Sequence, residues 1–340
     1  MKKTNIRFLL ICFFVSFFNH AFSSQISNKQ ILNLSDKQVA IFSNQLRNVC
    51  NSNKFYKNLN KNFKHNFGEA NDWKQKCLIL KEKNSVKEFK KYLIQNFKFK
   101  KIQNNSGLLT GYYEPIIRVS RKQNNVYKFP ILGRNKYYIK KSRRFIEKNF
   151  RKKDVILWTD DEVNLFFLHI QGSGIGEFSN KEKVKLVYDG NNEMSYTSIG
   201  KILIKEEYIN RENVNLFTIK KWLRANPNLS KELLNQNKRF IFFKEISFGV
   251  GTQPVGALGI PLMPNYSIAV DKNIYPLGLP FFIQMETDKS ILPVVSLDTG
   301  GAIIGASRAD LFFGRGKGAE SKAGILKKKI YLHAFIPYSN

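Results

Sequence analysis

Three aspartates in the C-terminal third of the chain stand where an acid could be made. Asp271 closes Ala269-Val270-Asp271, Asp298 leads Asp298-Thr299-Gly300-Gly301, and Asp310 follows Arg308-Ala309. Each comes after apolar residues and before a turn or a further apolar run. A carboxyl placed this way is partly desolvated, which raises its pKa, and a second carboxylate nearby raises it further. An aspartate raised in this manner can act as a general acid near neutral pH. The other reading is that all three accept backbone N–H groups and hold turns. Spacing alone leaves both open.

Other chemistries have weaker marks. Asp298-Thr299-Gly300 matches the active-site tripeptide of aspartic proteases, but the chain carries it once, so a shared-proton pair would need a dimer. The four histidines, His20, His65, His169 and His333, are scattered, with no His-x-x-x-His and no Cys-x-x-Cys pair. No metal or cofactor is expected. There is no Gly-x-Ser-x-Gly elbow, and the glycines at 314, 316 and 318 lack the spacing of a dinucleotide loop. Ser173, in Gly172-Ser173-Gly174, reads as a loop hydroxyl within reach of a ligand.

These residues need elements to hold them. Residues 24 to about 105 read as helical, with apolar positions at helical spacing over Val39–Leu46 and Val86–Phe97. Leu108–Glu114 is strand-like and broken by Pro115. Strands are predicted over Tyr127–Leu132, Val155–Trp158 and Arg239–Phe243, and Val163–Gln171 reads as a strand entering a glycine loop. Ser142 is placed to cap a basic helix over Arg143–Lys153, whose charge suggests a solvated face. Ile199–Glu207 and Leu216–Ala225 look helical, the second ended by Asn226-Pro227. After Gly249 the strands are short and joined by Gly/Pro turns: Ser267–Val270, Phe281–Met285, Val294–Leu297 and Ile330–Phe335. That texture suggests a β-barrel or sandwich.

The 340 residues, 43% hydrophobic and 24% charged, suit a globular chain of two domains. Lys2, Lys3 and Arg7, then the apolar run Phe8–Phe18 and Ala21-Phe22-Ser23, read as a secretory signal over 1–23. Ile11 before Cys12 is too bulky for a lipobox. Export permits a disulfide between Cys50 and Cys77, although two buried thiols fit equally. The net charge of +30 attracts polyanions. For an exported protein that favours anionic wall polymer or membrane surface over nucleic acid; plain lysine-rich composition is the alternative.

Over roughly residues 107 to 335 the chain resembles the membrane-bound lytic murein transglycosylase A family. The resemblance rests on Thr110-Gly111-Tyr112-Tyr113-Glu114-Pro115, Ile170-Gln171-Gly172-Ser173-Gly174, Ser195–Gly200, Asn237 with Phe242-Phe243, and Pro261–Asp271. It continues through Ile274–Gly278 and the long block Asp298–Gly314, which also resembles a three-aspartate barrel domain found in several cell-wall proteins. Asp189, Glu193 and the start of the Leu216 helix depart from the family pattern.

The resemblance implies a mainly β protein with N-terminal helices. A double-psi β-barrel (24–115 plus 248–340) would carry an inserted barrel-like β-domain at about 116–247, with a substrate groove between them. It implies cleavage of the MurNAc–GlcNAc bond of peptidoglycan, leaving a 1,6-anhydro ring. Asp310 would be the single acid/base and Asp298 its neighbour. Thr110, Gly111, Tyr112, Gln171, Gly172, Ser173, Thr299 and Gly300 would contact sugar, with Asp271 and Glu114 in support. The expected partner is the glycan strand, met by a monomer in the periplasm. Contact with the outer membrane or with other wall enzymes is left open. A dimeric protease built on Asp298 and a non-catalytic wall-binding module are the competing readings.

Overall fold

In a computed structural model the described residues are 25–62, 66–249 and 253–339. The signal reading falls on residues outside them. The N-terminal part forms helices α1 (Asn28–Leu32), α2 (Asp36–Cys50), α3 (Asn53–Asn62), α4 (Ala70–Lys81) and α5 (Val86–Asn96). Three of these begin with reciprocal caps, Ser27 with Gln30, Ser35 with Gln38 and Ser85 with Glu88, each saturating donors that a helix start leaves free. In α2, Val39, Phe42, Leu46 and Val49 recur at three- and four-residue spacing and are fully buried. A disulfide joins Cys50 at the end of α2 to Cys77 in α4, so the pairing that the sequence left open is made.

Two strands follow, β1 (Phe97–Lys101) and β2 (Gly107–Glu114), and the chain then leaves for a second sheet. Its elements run in order: β3 (Ile116–Ser120), β4 (Phe129–Leu132), α6 (Arg143–Asn149), β5 (Val155–Thr159), α7 (Glu162–Gln171), β6 (Gly174–Glu177), β7 (Lys183–Asn191), α8 (Ile199–Lys205), α9 (Leu216–Ala225), α10 (Pro227–Gln236) and β8 (Ile241–Ser247). The six strands order as β4-β5-β3-β6-β7-β8.

The chain returns to the first sheet with β9 (Ser267–Ala269), β10 (Pro280–Met285), β11 (Ile291–Asp298), β12 (Arg308–Arg315), α11 (Gly316–Ile325) and β13 (Lys327–Pro337). Here β13-β10-β11-β9-β12-β2 closes on itself because β2 also pairs with β13, while β1 hangs on the outer side of β13. Closure removes the free edges of the sheet. Two neighbouring pairs are parallel, β9 with β11 and β2 with β12, within an otherwise antiparallel barrel, and this matches the double-psi expectation. The N-terminal helices share one continuous core with the barrel, with the Phe335 ring in contact with both Phe42 and Phe97.

Several elements differ from their sequence reading. Val163–Gln171 is helix, not strand. Asp161 caps it by accepting from the Asn164 N–H at 2.9 Å, and Gly172 ends it in a left-handed conformation at φ 79°. Leu165 and Leu168 face the sheet core while Phe166 and Phe167 face a cluster with α8, α9 and α10. A helix buried on both sides has no polar stripe, so its periodicity disappears.

The basic helix stops at Asn149, and Arg143 is no solvated residue. It is buried, with its guanidinium over the Phe166 and Phe240 rings and donating to the carbonyls of Asn237 and Arg239. Pro227, read only as a stop, also opens α10 from the first turn, where proline lacks no needed N–H. Gly314 lies in β12, and Gly316 and Gly318 open α11.

Gly111 lies against α11. A methyl group added there would sit 2.7 Å from the Cα of Ala323 and from the Phe313 ring. Gly111→Ala should therefore cost about 1–3 kcal/mol by overpacking, read as a lowered urea midpoint. Reduction, or the Cys50→Ala/Cys77→Ala pair, releases a 27-residue link and should cost roughly 3–4 kcal/mol in the same assay.

Candidate active site

The barrel brings two of the three aspartates together through one short strand. β9 lies between β11 and β12, and Ala269 pairs with Asp298 on one side and with Asp310 on the other. Asp310 also pairs with Thr110 across the parallel β12–β2 ladder. Four chain segments distant in sequence thus converge on one point of the barrel.

Around Asp310 the contacts are one-sided. Its Oδ1 accepts a hydrogen bond from the Thr110 hydroxyl and lies 3.0 Å from Nη2 of Arg308. The same Nη2 donates to Thr110 Oγ1 at 2.6 Å, closing a triangle. Oδ2 has no hydrogen-bond partner among the described residues. The Asp310 side chain is 16% exposed. Burial raises its pKa above the ordinary value, while the charge and hydrogen bond of Arg308 pull the other way.

Asp298 is held differently. Oδ1 accepts from the backbone N–H of Thr299 at 2.9 Å and of Ala257 at 3.1 Å. Oδ2 accepts from the Tyr112 hydroxyl at 3.1 Å. Its pKa is also raised, first by burial; the three hydrogen bonds oppose this and the nearby Asp310 adds to it. The Tyr112 hydroxyl stays protonated, because burial and the two aspartates push its pKa well up.

Asp271, the third aspartate, holds a loop. Its Oδ1 accepts from Asn273 N–H at 3.0 Å and its Oδ2 from Gly305 N–H at 2.9 Å. Glu114 is buried at the crossing from β2 to β3. It pairs with Arg315 at 2.9 Å and lies 3.8 Å from Nζ of Lys185 on β7. It thus ties the barrel to the second sheet.

Gln171 ends α7 and accepts from the Tyr113 N–H at 3.1 Å. Gly172 and Ser173 follow in the turn out of that helix. Gly111 is turned to α11 rather than to Asp310. Thr299 and Gly300 form the loop after Asp298, and Arg239 of the second sheet reaches it: a methyl added at Gly301 would lie 3.3 Å from the Arg239 guanidinium.

Three side chains at this place were missed as candidates: Arg308, Arg239 and Tyr196. Arg308 was legible, since residues two apart in a strand share a face. Tyr196, between β7 and α8, lies within electrostatic reach of both Asp310 and Arg308, and burial raises its pKa. No local spacing in the sequence links it to the barrel. It brings the segment between β7 and α8 into the neighbourhood of Asp310. Among the described residues no group of three His, Cys, Asp or Glu side chains could hold a metal ion, and no helix is long and apolar enough to cross a membrane.

Comparison with known proteins agrees with this geometry. Residues 134–244 match the family model described as the MltA specific insert domain, and residues 266–335 match the 3D domain. A membrane-bound lytic murein transglycosylase A homolog of Buchnera aphidicola is 32% identical over 263 residues, covering 72% of this chain and 71% of that protein. The membrane-bound lytic murein transglycosylase A of Vibrio cholerae is 32% identical over 235 residues, covering 65% of this chain but only 62% of its own length.

Among solved structures, the membrane-bound lytic murein transglycosylase from Agrobacterium tumefaciens superposes with a TM-score of 0.77 at 23% identity, covering 92% of this chain and 97% of that one. Escherichia coli MltA with bound chitohexaose gives 0.72 at 23% identity, covering 90% and 91%. At these identities the structures speak for the fold, and the sequence relatives carry the rest: the chain belongs to the membrane-bound lytic murein transglycosylase A family.

Proposed function

We propose that this protein is a lytic transglycosylase, cleaving the β-1,4 bond between MurNAc and GlcNAc in peptidoglycan with Asp310 as its only acid/base. The single observation that carries the reading is the half-bound Asp310 carboxyl. One oxygen is fixed by Thr110 and Arg308, the other is open, and burial favours the neutral form. The relatives' names point to murein, and the Escherichia coli relative is solved with an oligosaccharide, chitohexaose.

The division into 24–115 plus 248–340 and 116–247 belongs to the same proposal. The strand would lie in the groove between the parts, faced by Asp310, Asp298, Thr110 and Tyr112 from one side. From the other it would meet Tyr196, Arg239 and the Gln171-Gly172-Ser173 turn. The chain would act as a monomer, outside the cytoplasm in the cell envelope.

The steps balance around one proton. Protonated Asp310 gives its hydrogen to the bridging oxygen as the C1–O4 bond breaks, and GlcNAc leaves with a free 4-hydroxyl. The carboxylate then takes the proton from the C6 hydroxyl of MurNAc, whose oxygen bonds to C1 and closes the 1,6-anhydro ring. Asp310 ends as it began. The sugar supplies its own nucleophile, so the second carboxylate of a hydrolase pair is not needed for attack. Asp298 is left to hold Tyr112 and the Thr299 loop.

Digestion of purified peptidoglycan, read by mass spectrometry, should give anhydro-muropeptides; reducing-end products would overturn the proposal. Asp310→Asn should lower turnover by about 10²–10⁴-fold or more, the usual worth of general acid–base transfer.

The pH profile follows from Asp310. The protonated form starts the reaction, so kcat/KM falls as pH rises through its raised pKa. Arg308 stabilises the ionised form. Arg308→Gln should therefore move the alkaline limb of the profile to higher pH, and a limb that stays or moves down would contradict the assignment.

A further inference from the structure

A hollow of about 670 Å³ lies where α9 of the second part faces α11 of the barrel. Its wall is one face of α9, carrying Phe217, Lys220, Lys221, Arg224 and Ala225 at helical spacing. Glu320 of α11 and Asn164 of α7 complete the lining.

The floor is a fixed polar network. Nζ of Lys220 donates to Glu320 Oε1 at 2.5 Å and to Asn164 Oδ1 at 3.0 Å, and the Tyr113 hydroxyl donates to the same Glu320 oxygen at 3.0 Å. Because Lys220 belongs to the insert and Glu320 to the barrel, this network pins the two walls against each other, so the hollow is formed before any ligand arrives.

Charge in the hollow is not balanced. Lys220 shares its charge with Glu320, and Arg224 reaches out to Asp161 at 2.9 Å. Lys221 is exposed and has no ion-pair partner among the described residues. Next to it Phe217 offers a ring that is 40% exposed, its inner edge lying against Gly324. A surplus cation beside an aromatic surface suits a short chain that carries a carboxylate and some apolar bulk.

The sugars of a peptidoglycan backbone are neutral when the lactyl groups carry peptide, so the carboxylates of the polymer lie on its stem peptides. β2 links the hollow to the site already described: the Tyr113 hydroxyl donates to Glu320 of its lining, and the Tyr113 backbone N–H donates to Gln171.

We infer that the cleft between α9 and α11 is a binding site for the acidic stem peptide of the glycan strand, with Lys221 taking a peptide carboxylate and Phe217 the apolar part. The inference rests on the proposed glycan cleavage, and its test is separable from that reading. The full-length Asp310→Asn protein is titrated with a sugar-free acidic peptide, N-acetyl-L-Ala-γ-D-Glu, and followed by nuclear magnetic resonance. Saturable shifts of α9 amides are expected, weakened by salt, and weakened roughly two- to fivefold by Lys221→Glu, the worth of a partly exposed ion pair.

In the active enzyme, the ratio of kcat/KM on peptide-bearing strands to that on peptide-free strands should fall in Lys221→Glu. No saturable binding, or an unchanged ratio, overturns the inference. Failure of the wild type to cleave either strand would sink the glycan reading instead, while the peptide titration would still decide the site.

Discussion

Keeping one carboxyl away from water, without giving both of its oxygens a partner, is the constraint on which this structure depends. A fully satisfied buried carboxylate would be ionised and inert as an acid. At Asp310 the three-way contact with Thr110 and Arg308 fixes the side chain through Oδ1 alone. Burial then works on a group whose other oxygen is open. Two effects oppose each other, desolvation raising the pKa and the Arg308 charge lowering it, and desolvation is the larger. Arg308 thus orients the acid without holding it ionised.

The rest of the fold serves that point. A closed barrel brings Asp298 and Asp310 to either side of the three-residue strand β9, and Thr110 beside Asp310 across the parallel β12–β2 pair. The N-terminal helices, fastened by the Cys50–Cys77 disulfide, cover the barrel and complete its core. Glu114, Lys185 and Arg315 form a buried charge cluster where the chain crosses to the second sheet. A buried charge of this kind is tolerated only when paired, so the crossing has little freedom to drift. Tyr196, between β7 and α8, lies within electrostatic reach of Asp310, and Arg239, just before β8, lies near Gly301.

Much of this was legible in the sequence, for stated reasons. The apolar spacing over Val39–Leu46 and Val86–Phe97 is local, so α2 and α5 were legible; the serine caps that open three of the helices were not read. The short strands after Gly249 were marked by Gly and Pro. Asp298 and Asp310 were marked by their apolar flanks. What failed to show was long-range. Val163–Gln171 lost its helical period because the helix is buried on two faces. Arg143 looked solvated because nothing local reports the Phe166 and Phe240 rings that cover it. Tyr196 comes near Asp310 only through the fold, and the close approach of Gly111 to α11 has no local signal.

The central claim concerns the protonation of one side chain, so the most direct measurement is a titration of that group. With carbon-13 in the aspartate carboxyls, the resonance lost in the Asp310→Asn protein identifies Asp310, and its shift can be followed with pH in the resting wild type. The expected result is a midpoint above the ordinary aspartate value of 3.8. A carboxyl that titrates at or below that value would be an ordinary ion pair with Arg308, and Asp310 could not be the acid.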